Sequence, residues 1–316
     1  MYSTTTIIKN SRLNGRVLGT HQRLDLAARR SLTKLLGNKY FPSGKEIIHF
    51  EGTRGPDGLK RKSPGEDEPS HMLVDENGNF LLEKSGPAHQ KGHERLDQRS
   101  VLELIRDHRC NLIKALRDKN EVRAAFEAAW MAHMVTDSLT PAHHFPLEAV
   151  KEELMTDKEM LKVFGEPIKG MVHGRNVFET LRNNWLYWGA KGHMTQHIGY
   201  EYGVLMITAT MPLKRMIRLP HVSGMKDNDF ETYLCEAIDR VRSFGMYERF
   251  RKDGWTTELA LETQNILLPE IAEAIALGWY SAAAEAYPDL KRKNTRAKNS
   301  HTETARTGKK AKNAQK

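Results

Sequence analysis

In AAWMAHMVTDSLTPAHHFP, residues 128–146, two histidines and an aspartate stand at a spacing that suits a metal ion: His133, Asp137 and His143. His133 and Asp137 are four residues apart in a stretch of helical periodicity, so both lie on one face, in line with Phe126, Ala129 and Trp130. That face reads as core. Burying an imidazole and a carboxylate there costs on the order of several kcal/mol unless each finds a partner, and a cation satisfies both. Pro141 ends the helix or begins the next segment, and the turn it creates can carry His143 back beside the same centre. The plainer alternative is a His133–Asp137 hydrogen bond, with His143 and His144 as loop residues. A three-point match at this spacing has on the order of 0.03 chance occurrences in a chain of this length, which favours the metal.

HMVTDSLTPAH resembles the His-x-x-x-Asp-x-x-x-Pro-x-His signature of the bacterial zinc-dependent phospholipases C, whose fold is similar to that of the fungal zinc nucleases that cleave single strands. The resemblance implies an all-α enzyme with two or three zinc ions in a cleft. Three further segments resemble the family's ligand segments, in the family's order: THQRLDLAARRSL with His21, PSHMLVDENG with His71, and HIGYEYGV with His197 and Glu201 on one helical face. The remaining family ligand is a carboxylate shortly before His71, for which Asp57 in RGPDG and Glu51 in HFEG both stand as candidates; His193 is the alternative to His197. The resemblance then assigns His71, His133, Asp137 and Asp57 to one zinc, His143, His197 and Glu201 to a second, and His21 to a third that shares Asp137. Asp57 would also orient or deprotonate the attacking water. The chain departs from the pattern at Met134, where the family usually has Tyr, and at His144 to Pro146, where an Asn is usual. The family's N-terminal tryptophan, which supplies its amine and carbonyl to one zinc, has no counterpart in Met1, 20 residues before His21. Imidazole and carboxylate donors suit zinc better than magnesium or calcium.

The reaction this implies is hydrolysis of a phosphate ester, in a phospholipid or a nucleic acid. A nuclease acting on single strands would offer aromatic platforms for bases, and Trp130, Trp185, Tyr187 and Trp188 are the candidates. The non-enzymatic alternative is a helical binding protein that keeps a structural metal. Phosphohydrolases built on adjacent His-Asp pairs are disfavoured, because the chain contains no such dipeptide.

The elements that must position these residues are helices. One is signalled from Thr20, a candidate N-cap, through Leu24, Ala28, Leu32 and Leu35, with Gly37 as its stop. Helical periodicity returns at Arg95–Arg117, Glu121–Leu139, EAVKEELM, Trp185–Met211, DFETYLCEAIDRVRSFGMYERF and Thr257–Tyr287. Residues 38–92 are rich in Gly, Pro and charge, too irregular for long helices; Ile47, Ile48, Phe50, Leu73 and Phe80 would anchor them as an ordered, ligand-bearing loop, with a short hairpin over His71–Leu82. The expected organisation is an N-terminal extension over 1–19, one all-α domain over 20–290, and a tail over 291–316.

With 316 residues, 39% hydrophobic and 28% charged, the chain can bury a substantial core. Its net charge of +9 favours anionic partners, and the tail KRKNTRAKNSHTETARTGKKAKNAQK should be disordered, contacting nucleic acid or an anionic surface without sequence preference. Cys110 and Cys235 form no Cys-x-x-Cys motif, which excludes a thiolate zinc site and a disulfide framework. No secretory start and no membrane-spanning apolar run are recognisable, so a soluble cytoplasmic protein is expected.

Overall fold

The periodicity that starts after Gly19 becomes helix α1, Thr20–Leu36, in a computed structural model that describes residues 18–54, 101–154, 172–220, 222 and 229–290. Gly19, rather than Thr20, is the N-cap: its extended backbone lets the Gln22 Oε1 accept from its N–H at 3.1 Å, and Thr20 turns inward as the first helical residue. Gly37, at φ 75°, stops the helix as the sequence indicates, its N–H donating to the Thr33 carbonyl at 2.8 Å. A second helix, α2 (Gly44–Arg54), lies inside the stretch read as irregular. Its cause is local: Ser43 and Glu46 form a reciprocal capping box, with Ser43 N–H to Glu46 Oε2 at 2.9 Å and Glu46 N–H to Ser43 Oγ at 3.3 Å. The rest of the predicted loop, with its hairpin, lies outside the described residues.

Helices α3 (Val101–Arg117) and α4 (Glu121–Ser138) follow closely on one another, joined through Lys119 at φ 54° and Asn120, whose side chain caps α4. A 3₁₀ turn, Pro141–His144, leads to α5 (Leu147–Leu154). The periodic segment around Trp185–Met211 divides into α6 (Val177–Trp188) and α7 (His193–Thr210). Gly189 and Gly192 make the break, each closing a turn onto a preceding carbonyl. Likewise DFETYLCEAIDRVRSFGMYERF divides at Gly245, φ 56°, into α8 (Asp229–Ser243) and α9 (Met246–Asp253).

The last helical run opens as α10 (Thr257–Glu262) and passes through one π turn at Thr263–Leu267 into α11 (Leu268–Ala286). Pro269, which has no N–H to give the α-helical ladder, sits at the start of α11 and accounts for the altered register. Thr257–Ala286 is long and apolar enough to cross a membrane, yet 83% of its apolar window is buried within the protein, where α11 packs against α1, α3, α4 and α8. It is the core helix of an all-α fold, and no strand occurs among the described residues. Two contacts fix α4 against it. Trp279 Nε1 donates to the Ala128 carbonyl at 3.0 Å, and a Cβ on Gly278 would fall 2.7 Å from Met131 Cε and 2.8 Å from the Phe230 ring. On α4 both contacts, at Ala128 and Met131, lie within about two turns before His133.

Candidate metal centre

Four helices and one turn converge on a buried polar cluster. His133 and Asp137, in the last turns of α4, lie on one face as their spacing requires, with His133 Nε2 3.2 Å from Asp137 Oδ2. His21, in the first turn of α1, stacks on His133 with ring centroids 4.0 Å apart and planes 6° from parallel, placing its Nε2 3.5 Å from Asp137 Oδ1. The second group comes from the 3₁₀ turn and α7. His143 Nε2 is 3.0 Å and His197 Nε2 3.2 Å from the same oxygen, Glu201 Oε1. Asp137 joins the two, since its Oδ1 is also 3.8 Å from His143 Nε2. All six residues are buried.

The turn that delivers His143 is locally encoded. Thr140 N–H donates to the Asp137 carbonyl at 3.0 Å, Thr140 Oγ1 to the Thr136 carbonyl at 2.8 Å, and His143 N–H to the Thr140 carbonyl at 2.9 Å. His144 braces it from behind, its Nε2 2.9 Å from the Ser138 carbonyl. Burial lowers the pKa of His144 to about 4, against the opposing pull of that hydrogen bond, so its ring is neutral and donates to Ser138. Two side chains flanking His21 tie α1 to its neighbours: Gln22 Nε2 donates to the Ile48 carbonyl of α2 at 3.1 Å, and Arg23 Nη2 to the Met211 carbonyl at the end of α7.

Glu51, the alternative upstream carboxylate, takes a different place. Its Oε1 is 3.0 Å from His133 Nδ1, on the edge of the ring opposite Asp137. It therefore orients the imidazole so that Nε2 faces the centre, as carboxylates beside metal-ligating histidines do. Asp25 was not expected from the sequence. It stands one helical turn after His21, buried, with no hydrogen-bond partner for Oδ2. Burial first, and then the Glu51 carboxylate, push its pKa well above the ordinary range, while His133 pulls it down. The signal was present: His21-x-x-x-Asp25 repeats the spacing of His133-x-x-x-Asp137.

The electrostatics ask for positive charge. Burial alone would depress His133, but the Glu51 and Asp137 carboxylates outweigh it and raise its pKa to about 10. Burial would raise Asp137 and Glu201, yet the positive charge and imidazole hydrogen bonds around them hold both well below the usual carboxylate range. The donor set also fits a metal in its dimensions. Tetrahedral zinc with bonds of 2.0–2.1 Å sets its donors about 3.3 Å apart, against 3.0–3.5 Å between imidazole nitrogen and carboxylate oxygen within each group. Within each group the ligand atoms all lie within 4.8 Å of one another.

Of the eight predicted ligands, six are thus brought together, and Asp57 and His71 lie outside the described residues. The grouping differs from the expected one in that His21 shares a group with His133 and Asp137. His193 is outside both groups, stacked on Phe145 at 5.6 Å, which leaves His197 as the partner of Glu201. Of the four aromatic candidates for base stacking, Trp130 and Tyr187 are core residues, whereas Trp185 and Trp188 are exposed on α6. A cavity of about 580 Å³ lined by Tyr40, Lys119 and Tyr287 contains none of the ligand residues. Comparison of the chain with protein-family models, curated proteins and solved structures gave no match.

Proposed function

We propose that this chain is a zinc-dependent phosphoric ester hydrolase, acting on the phosphodiester of a phospholipid or a single-stranded nucleic acid. The observation that carries the reading is Asp137, one carboxylate facing three imidazoles and joining two groups of ligand type. The resemblance of HMVTDSLTPAH to the zinc phospholipase C signature supports it. Zinc at these positions would lower the pKa of a coordinated water towards 7 and neutralise charge that builds on the phosphate. His21, His133 and Asp137 would hold one ion and His143, His197 and Glu201 another, with a third ion left to Asp57 and His71. Glu51 keeps the His133 Nε2 lone pair aimed inward, and His144 keeps the His143 turn rigid without adding a charge. Asp57 is proposed to take the proton from the attacking water, on the resemblance.

Elemental analysis of the purified full chain tests this reading together with hydrolysis of bis-p-nitrophenyl phosphate. At least two zinc ions per chain are expected, most of them lost in Asp137→Asn, with hydrolysis abolished by chelation and restored by zinc. A folded wild type that takes up no zinc overturns the proposal. Hydrolysis that survives His133→Ala overturns the site. Zinc binding without hydrolysis of any phosphodiester leaves the non-catalytic helical binding protein.

A further inference from the structure

Helix α6 is built inside out. Five of its residues, Val177, Trp188, Leu181, Trp185 and Phe178, follow one another around an arc of about 100° at 3.6 residues per turn, with no polar residue among them. That arc faces away from the protein: Phe178 is 84%, Val177 73%, Trp185 71% and Leu181 64% exposed. Thr180, Asn183 and Asn184 lie off that arc and are used. Asn183 Nδ2 donates to the Leu154 carbonyl, Asn184 Nδ2 donates to the Val172 carbonyl at 2.9 Å and its Oδ1 accepts from the Val172 N–H at 3.1 Å, and Thr180 Oγ1 accepts from the Gly174 N–H at 2.9 Å. Tyr187, between them, fills a small apolar cluster with Leu147 and Val172. Rotating the helix to hide its aromatic arc would break these bonds, so the orientation is fixed from within.

An exposed apolar arc of this kind marks a surface that meets something apolar. Its border says what. Arg182 adjoins the arc on the helix, and Arg175 and Lys191 stand just beyond its two ends. All three are exposed, and none is ion-paired among the described residues. Aromatic and aliphatic residues bordered by cations are the composition of a helix that lies in the interface of an anionic bilayer, with tryptophan at headgroup depth. Single-stranded nucleic acid also pairs aromatics with cations, but Val177, Leu181 and Leu186 offer no ring for a base to stack on, and the face is convex rather than a groove.

We infer that the outer face of α6 docks the protein onto anionic phospholipid membranes, with Phe178 and Trp185 inserted and Arg175, Arg182 and Lys191 at the headgroups. The inference stands apart from the hydrolase reading, because it involves none of the metal-centre residues.

Vesicle flotation with the full chain, on phosphatidylcholine and on phosphatidylcholine with 30 mol% phosphatidylglycerol, tests it. Binding to the anionic vesicles, a blue shift of tryptophan emission and a loss of at least tenfold in partitioning for Phe178→Glu/Trp185→Glu are expected. Arg175→Glu/Arg182→Glu should weaken anionic binding by roughly fivefold or more per residue, from about 1 kcal/mol for each cation at the surface, and leave weak binding to neutral vesicles unchanged. Asp137→Asn should float like wild type, which separates this inference from the metal centre. Floating of Phe178→Glu/Trp185→Glu at the wild-type level would assign binding to the basic tail and overturn the proposal. Concentration-dependent dimers, or capture of an oligo-dT probe, abolished by the same pair of substitutions while vesicles go unbound, would overturn it equally.

Discussion

Replacing Glu51 by Gln keeps the size of the side chain and an oxygen that can accept from His133 Nδ1, and removes only the charge. Glu51 is fully buried and 3.0 Å from that nitrogen, so solvent screens the loss very little. Carboxylates in this position are worth about 10–100-fold in metal affinity, or roughly 1.4–2.8 kcal/mol, and full burial places Glu51 towards the larger figure. A second effect runs the other way. In the metal-free protein His133 has its pKa raised to about 10, with Glu51 the foremost of the groups that raise it. At pH 7 zinc must therefore displace a proton held some three pH units too tightly, a cost of about 4 kcal/mol at 1.36 kcal/mol per unit. Glu51→Gln lowers this proton competition while weakening the metal itself. Chelator-competition titrations at pH 7, 8 and 9 separate the two. Wild-type zinc affinity should rise about tenfold per pH unit over this range, one proton being released per zinc. The variant should follow a shallower line and fall furthest behind at pH 9. Equal affinities and equal slopes would refute the orienting role of Glu51, and loss of one whole zinc equivalent would make Glu51 a ligand instead.

His144 makes the metal-free protein acid-sensitive in a particular window. Its pKa is lowered from 6.5 to about 4, so its contribution is fully present above pH 6.5 and is lost as pH falls through 4, about 3 kcal/mol in all. Urea unfolding in chelator at pH 7.5 and 4.5 should show a smaller acid loss for His144→Phe than for wild type, and parallel pH profiles would count against the buried neutral ring. Gly278→Ala should cost about 1–3 kcal/mol by overpacking, since its Cβ lands 2.7 Å from Met131 Cε and 2.8 Å from Phe230. Thermal unfolding should register this as a lowered Tm, together with weaker zinc binding through displacement of α4; an unchanged Tm would mean that α11 does not press on α4 there.

Helix type and the principal ligand pairs were legible because both follow from spacing alone. His133 with Asp137, and His197 with Glu201, sit at one helical turn, and a helix leaves such pairs no freedom to diverge. What spacing cannot convey is which edge of an imidazole meets which carboxylate. Glu51 stood in the sequence only as an alternative to Asp57 for a ligand position, and only the fold places it at Nδ1 of His133 while Asp137 meets Nε2 of the same ring. Helix α2 was missed because Gly, Pro and charge in its surroundings outweighed the short capping signal of Ser43 and Glu46. The split between α6 and α7 was missed for a different reason: apolar residues continue on both sides of Gly189 and Gly192, and the two glycines alone mark the break. Asp25 escaped because His21 was read as a lone residue opening a helix, not as the first half of a pair.

Two parts of this molecule break the ordinary partition of polar and apolar groups, and they break it in opposite directions. Around Asp137, imidazoles and carboxylates from α1, α2, α4, the 3₁₀ turn and α7 are withdrawn from water into a bundle whose core is mainly apolar. On α6, large apolar side chains are held in water by polar ones that face inward. Neither arrangement lowers the free energy of the isolated chain, since buried charges lose hydration and exposed aromatics gain no packing. A sequence consistent at every other level carries such violations where an outside partner supplies the missing term. The sign of each violation specifies its partner: cationic where anionic and lone-pair donors are buried together, apolar with an anionic border where aromatics and unpaired cations are exposed together. The metal centre and the docking face are thus two inferences of one kind, and because they share no residue, each can be refuted without touching the other.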